Sequence, residues 1–338
     1  PTEERRDILR LRSYPEGTAG AVMTTDVATL DENLVVKEAL SELGRQAEHV
    51  ETIYYAYVVD DYKHLRGVVS TRQLVSAMGK PETRLKDLME TDLAVVEVTM
   101  DQEEVADKVA HYDLLAIPVV DSERRMLGII THDDIIDVVR EEATEDAHLS
   151  AAVAPLEETY LKTPILILSR KRGVWLVILF IGGLFTALAL QHYENVLERF
   201  KWLSLFIPLI ISSGGNTGNQ SATLIITAMT RGDVEIRDWL RVVLREMAMG
   251  FVLGGSLAFL GMIAAYFIHP AATFVVPITL LLVVLSGTLC GATLPILFKR
   301  LGLDPAMMSN PFVAGIVDLL GIVIYVQVAI GLESMFGG

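Results

Sequence analysis

The chain has 338 residues, of which 51% are hydrophobic, and its formal net charge at pH 7 is −15. The charge is unevenly divided, because residues 1–169 hold 34 acidic and 17 basic side chains while residues 170–338 hold 9 and 11. The acidic excess argues against nucleic acid as a partner, and a single cysteine, Cys290, excludes a disulfide framework.

The apolar residues are concentrated in the second half of the chain. Residues 170–338 contain apolar runs long enough to cross a hydrocarbon layer, which takes roughly 20 helical residues, and residues 1–169 contain none. The predicted fold class is therefore multidomain, with an α/β unit followed by an all-α polytopic membrane domain. We place the membrane domain at 170–338.

The first half contains an internal repeat. The run VMTTD at 22–26 is echoed by LMETD at 88–92, and each copy continues in the order β-α-β-β-α. We predict the two repeats over 22–80 and 86–142. Residues 1–21 are interpreted as the remnant or connector of an N-terminal domain.

The tandem repeat resembles a pair of CBS domains, since in both copies a glycine-led strand (GVVST, then GIITH) passes directly into a helix. In that family a hydroxyl residue followed three positions later by Asp holds a ribose. Thr131 and Asp134 match this pattern, whereas the first copy has Ser70 and Gln73. The resemblance implies a site for ATP between the repeats, with an ordinary protein core as the alternative. The residues that could line it are Tyr55, Arg72, Ala94, Leu114, Thr131 and Asp134.

Basic residues orient the membrane domain. Nine Lys and Arg residues lie on the side of the bilayer that faces the N-terminal half, and two lie on the other side. The positive-inside rule therefore places the N-terminal half in the cytosol and the C-terminus outside. The five predicted spans are 174–192, 202–229, 246–268, 276–298 and 306–332.

One carboxylate, Asp318, lies near the middle of the fifth span, and no second mid-span carboxylate is expected. An ionisable group at that depth costs on the order of 3 kcal/mol unless it faces water or a partner. We therefore predict that Asp318 faces an ion pathway; a protonated carboxyl buried for packing is the alternative.

The second span combines Pro208 with the polar run SSGGNTGNQS at 212–221. Polar backbone and side-chain groups are not left facing lipid, so this stretch is expected to line a cavity or another helix. A break in the helix at this point is expected to free backbone groups to face a pore. Asn216 could present a neutral oxygen at the depth of Asp318, and Asn310 could edge the pore mouth. Asn219, Gln220 and Ser221 either line the pore or join helices.

Three motifs of the membrane half belong together: GGNTGNQ at 214–220, DPA at 304–306 with SNP at 309–311, and Asp318 with Gly321. With the tandem repeat, they resemble the MgtE family of bacterial magnesium transporters. The resemblance implies a homodimer in the bacterial inner membrane, with the pore between two five-helix domains. It assigns the pore carboxylate to Asp318 and a connecting plug helix to 143–169.

The resemblance also implies regulatory magnesium ligands on the CBS pair and the connecting helix; solvated surface charge is the alternative for each residue. These candidates are Asp101, Glu103, Asp113, Asp134, Asp137, Glu142, Glu145 and Asp146.

The favoured interpretation is a Mg²⁺ channel or transporter that cytosolic Mg²⁺ closes by binding these acidic residues. Three alternatives stay open at this point. They are a transporter of another divalent cation, a nucleotide-sensing CBS regulator with a membrane anchor, and an intramembrane enzyme that uses Asp318. The enzyme is least supported, because the membrane half contains no HExxH or Gly-x-Ser-x-Gly motif.

Overall fold

The computed structural model describes residues 9–156, 159–307 and 309–332. The chain divides into two compact units, 1–143 and 144–338. Residues 1–8 of the predicted N-terminal connector lie outside the described residues.

The first unit contains two three-stranded sheets of the same topology. In each sheet the first strand pairs in parallel with the middle strand, and the third strand pairs antiparallel with it. After the short helix α1 (Ala19–Val22), the first copy comprises β1 (Val27–Asp31), α2 (Val36–Gln46), β2 (Thr52–Val59), β3 (Leu65–Ser70) and α3 (Thr71–Ser76). The second copy comprises β4 (Val96–Glu97), α4 (Gln102–His111), β5 (Ala116–Val120), β6 (Met126–Thr131) and α5 (His132–Ser150).

Hydrophobic periodicity explains these elements. α2 buries Val36, Ala39 and Leu43, which recur at the spacing of one helix face. All five residues of β5 are buried, which accounts for its unbroken apolar run. The predicted β-α-β-β-α order of each copy is thus confirmed.

The two copies interlock through the segments that precede them. Thr24 pairs with Ile129 in β6, and Glu90 pairs with Val68 in β3. The backbone approach is so close that a Cβ at Gly67 would lie 2.8 Å from the Glu90 carbonyl oxygen. The repeated runs at 22–26 and 88–92 therefore join each copy to the sheet of the other copy.

The second unit is helical. Phe206, Val283 and Tyr325 are buried together in its core. The Tyr325 hydroxyl donates a hydrogen bond of 3.1 Å to the Leu203 carbonyl oxygen. Its helices are α6 (Ile165–His192), α7 (Glu194–Arg199), α8 (Leu203–Thr230), α9 (Trp239–Ile268), α10 (Ala272–Arg300) and α11 (Asn310–Gly331).

Within the described residues, four helices are long and apolar enough to cross a membrane: α6, α9, α10 and α11. α8 has 28 residues and carries the polar run at 212–221. The predicted all-α domain of five long helices is confirmed.

The stretch predicted as a connecting helix, 143–169, is divided in the structure. α5 continues to Ser150 and α6 begins at Ile165. Pro155 and Pro164 stand between them, and proline disfavours helical backbone in the residue before it.

Candidate functional site

The candidate site is built on α8. The predicted break in this helix is wrong, because α8 is continuous from Leu203 to Thr230 through Pro208 and the polar run. Pro208 removes the hydrogen bond from its own nitrogen to the Ser204 carbonyl. The glycines of the run are packed against neighbouring helices, so their backbone is shielded without any opening of the helix.

Glycines bring α8 and α10 into backbone contact. A Cβ at Gly287 would lie 2.6 Å from the Gly214 carbonyl oxygen, and one at Gly291 would overlap the Gly218 carbonyl oxygen. Only residues without a side chain permit this approach. The polar run therefore owes part of its composition to packing.

Asp318 lies on α11 beside the glycine surface of α8. A Cβ at Gly215 would lie 3.3 Å from Asp318 Oδ1 and 3.6 Å from Ala314 Cβ. Asp318 is half-buried, while its neighbour Val317 is fully buried in the bundle. Within the residues that the structure describes, the Asp318 carboxylate makes no hydrogen bond or ion pair, so it is available to a ligand.

Polar side chains of α8 form one exposed face. Asn216, Gln220 and Thr223 recur at intervals of four and three residues, which places them on the same side of the helix, and each is exposed. Asn216 Nδ2 donates a hydrogen bond of 3.3 Å to Ser212 Oγ. We name this surface, residues 212, 216, 220 and 223, the polar face.

Asn310 joins α11 to the polar face. It is the first residue of α11, and its Oδ1 accepts a hydrogen bond of 3.2 Å from Thr223 Oγ1. Asn219 lies beside the face, and its amide oxygen is buried without a hydrogen-bond partner in the described residues. Asn216, Asn310 and Asp318 thus occur along one pair of packed helices, α8 and α11.

A buried carboxylate was missed by the prediction. Glu246 on α9 is 9% exposed, and its Oε2 accepts a hydrogen bond of 2.6 Å from Ser221 Oγ on α8. The prediction of no second mid-span carboxylate did not consider Glu246, because the predicted third span began at that residue. α9 begins seven residues earlier, at Trp239.

Comparison with known proteins supports a single family. Residues 207–328 match a family model described as a divalent cation transporter, and 19–80 and 85–141 match the CBS domain. Magnesium transporter MgtE of Thermus thermophilus is 44% identical over 96% of this chain and 72% of that protein. Magnesium transporter MgtE of Enterococcus faecalis is 35% identical over 99% of this chain and 72% of that protein.

The chain belongs to the MgtE family. Among solved structures, the cytosolic domain of the Mg²⁺ channel MgtE in complex with ATP is 42% identical, with a TM-score of 0.40. The match covers 41% of this chain and 55% of the chain in that structure. The identity to the two transporter relatives confirms the resemblance on which the predictions drew. Because this family consists of transporters, the intramembrane enzyme is not retained.

In this MgtE-family protein the structure brings together some of the predicted regulatory acids. Gln102 Nε2 donates a hydrogen bond of 2.6 Å to Glu142 Oε1, so the start of α4, with Asp101 and Glu103 on either side of Gln102, lies against α5. The Asp101 carboxylate accepts from the Glu103 backbone nitrogen as the N-cap of α4. Asp113 is exposed beyond the end of α4.

The remaining regulatory candidates follow along α5. Asp137 is exposed, and its Oδ1 lies 3.5 Å from Nη1 of Arg140. Glu145 and Asp146 come one turn after Glu142 in the same helix. In the part of this chain that the structure describes, no three Asp, Glu, His or Cys side chains form a group that could hold a metal ion.

The nucleotide candidates lie around the two sheets. Thr131 Oγ1 donates a hydrogen bond of 2.7 Å to Asp134 Oδ2 at the junction of β6 and α5. Tyr55 packs in the apolar cluster that contains residues of both sheets, and Ala94 and Leu114 are partly buried against the core of the second copy. Arg72 is exposed on α3.

Proposed function

We propose that this protein is a magnesium channel or transporter of the bacterial inner membrane, in which two identical chains conduct Mg²⁺ between them. The polar face of α8 carries the proposal, because one chain alone leaves Asn216, Gln220 and Thr223 exposed. Lipid offers these groups no hydrogen bonds, so their exposure to hydrocarbon is unfavourable. A second copy on this face would cover them and enclose a polar path.

Asp318 supplies the negative charge of this path. Mg²⁺ requires octahedral oxygen ligands and gives up its water reluctantly, so a protein site usually holds it through several waters. Two Asp318 carboxylates, one from each chain, would attract the hydrated ion, and the amide oxygens of Asn216 and Asn310 would accept hydrogen bonds from its water. The Thr223 hydroxyl already fixes the orientation of Asn310.

The function is tested by ion uptake into liposomes that contain the purified protein. We expect Mg²⁺ uptake to exceed that of Ca²⁺, Mn²⁺ and Co²⁺ under equal gradients, and light scattering in detergent to give two chains per particle. Faster uptake of another ion would support the alternative, a transporter of that cation. Particles of one chain would contradict conduction between two copies.

Closure by cytosolic Mg²⁺ is the second part of the proposal. α5 carries Asp134, Asp137 and Glu142, and near its end Leu149 packs with Ala222 of α8 and Val313 of α11. The acidic residues proposed to bind Mg²⁺ are the eight candidates given above, from Asp101 to Asp146. Bound Mg²⁺ would offset the mutual repulsion of these carboxylates. If Mg²⁺ binding favours one position of α5, the C-terminal end of that helix would transmit the change in position to α8 and α11.

Raising Mg²⁺ on the CBS side of the membrane is expected to reduce flux, and raising it on the other side is not. With Glu142→Gln, we expect that half-inhibition requires about fivefold more Mg²⁺. Glu104→Gln is the matched control, since Glu104 is an exposed acid of α4 outside the proposed set. Flux that is independent of Mg²⁺ on the CBS side would contradict this closure, and inhibition from the opposite side would contradict the cytosolic placement of the CBS pair.

We further propose that the CBS pair binds ATP through its second copy. The Thr131–Asp134 hydrogen bond places a hydroxyl and a carboxylate together at the start of α5, a pair suited to the hydroxyls of a ribose. Tyr55, Arg72, Ala94 and Leu114 would surround the base and phosphates. In the first copy Ser70 caps α3 through Gln73, which offers no carboxylate.

Thr131→Val is expected to weaken ATP binding about tenfold, because it removes a hydrogen-bonding group next to a charged one. Ser70→Ala tests the other copy and is expected to leave ATP affinity unchanged. Titration calorimetry on the whole protein in detergent measures both. Equal losses in the two variants would contradict a site in the second copy.

A further inference from the structure

Glu246 is the only carboxylate that is buried among the residues that the structure describes. It lies on α9, between Arg245 and the apolar remainder of that helix, and it takes no part in the proposed ion path. An ionisable side chain inside a membrane helix is retained at a cost and needs a partner. Its partner is Ser221, itself 4% exposed, across a hydrogen bond of 2.6 Å.

Ser221 lies on the side of α8 that is turned away from the polar face. It comes five residues after Asn216, and five residues correspond to about 140° beyond one full turn. The hydrogen bond to Glu246 thus holds α8 from the side opposite the exposed amides. Any rotation of α8 that moved Asn216 would also break this bond.

The hydrogen bond adds a directional contact to the packing of α8. Gly214 and Gly218 meet Gly287 and Gly291 of α10, and valine side chains, Val283 on α10 and Val317 on α11, lie against the α8 glycines. Apolar contacts of this kind fill space but have no preferred direction. The Glu246–Ser221 hydrogen bond is directional and buried, so it specifies one rotation of the helix.

We propose that Glu246 is a positioning residue that sets ion selectivity: by accepting the hydrogen bond from Ser221, it fixes the rotation of α8 and keeps Asn216 and Gln220 directed at the ion path. The inference rests on the proposed function, since it concerns the same path. It assigns no ion contact to Glu246 itself. A helix that turns more freely would present its amide oxygens at variable distances and would discriminate less between hydrated Mg²⁺ and the larger Ca²⁺.

The test is the Mg²⁺-to-Ca²⁺ flux ratio in liposomes. We expect Glu246→Ala and Ser221→Ala each to lower this ratio about tenfold, the factor that corresponds to the loss of one buried hydrogen bond. The double variant is expected to be no worse than either single variant, because both remove the same bond. Glu246→Gln keeps an acceptor oxygen and is expected to restore the ratio. Ser256→Ala is the control, since Ser256 lies on the same helix and donates its hydrogen bond to the Val252 carbonyl oxygen within that helix.

A purely structural role would lower the amount of folded protein or its melting temperature in Glu246→Ala without altering the ratio, and that result overturns the proposal. A Glu246→Gln variant as impaired as Glu246→Ala also overturns it, because charge and not the hydrogen bond would then matter. If Glu246→Ala does not fold, Ser221→Ala decides alone. Asp318→Ala is measured in parallel, and unchanged Mg²⁺ flux in that variant refutes the proposed ion path. If Asp318→Ala loses its flux while Ser221→Ala keeps a normal Mg²⁺-to-Ca²⁺ flux ratio, only the role of Glu246 is refuted.

Discussion

Replacing Asp318 by Ala is expected to reduce Mg²⁺ flux about a hundredfold, because two like-charged carboxylates at the centre of the path would be lost together. Asp318→Asn preserves the shape of the side chain and removes only its charge, so we expect nearly the same loss. Asp318→Glu keeps the charge, but the longer side chain displaces the carboxylate by one methylene from its position beside Gly215. We expect this variant to retain part of the flux.

The measurement is Mg²⁺ uptake into liposomes, normalised to the amount of folded protein. Gln327→Ala is the control on the same helix, because Gln327 is exposed and lies at the other end of α11, where it donates a hydrogen bond to the Tyr193 hydroxyl. A loss of flux in both variants would indicate damage to α11 and not to a pore carboxylate. Unaltered flux in Asp318→Ala would remove Asp318 from the path.

The fold was accessible from the sequence because its signals are local. The period of the apolar residues in α2 and β5 defines the CBS copies, and the long apolar runs define the membrane helices. The helix break predicted in α8 failed for a reason that is not local. Glycine and asparagine disfavour a helix in isolation, but the glycines of α8 are held by the glycines of α10, which lie about 70 residues later in the chain.

Part of the candidate site could be predicted, because some of its residues are of a type that is unusual within an apolar span. A carboxylate among apolar residues marks Asp318 as a candidate, and an interrupted apolar run marks Asn216 as another. Glu246 lacked such a signal, because it follows Arg245 and was placed at the end of a predicted span. Its importance depends on contact with Ser221, and periodicity along one helix contains no information about a partner on another.

Replacing Gly291 by Ala is expected to destabilise the membrane domain by about 3 kcal/mol, which is the upper end of the cost of overpacking a close contact. The added Cβ would overlap the Gly218 carbonyl oxygen and lie 3.0 Å from the Ala222 nitrogen. Both are backbone atoms, so no side-chain rotation can relieve the contact, and α8 must move away from α10. We therefore expect a lower melting temperature and a lower Mg²⁺ flux in the same variant.

Gly255→Ala provides the matched control, because a Cβ at Gly255 on α9 would have no atom within 4 Å. Alanine favours a helix over glycine, so this change is expected to leave the melting temperature equal or slightly higher. If Gly291→Ala melted like Gly255→Ala, the glycine contact between α8 and α10 would not limit their approach. The polar run of α8 would then have to be explained by the ion path alone, and substitution of Gly214 or Gly218 would be expected to alter conduction without altering stability.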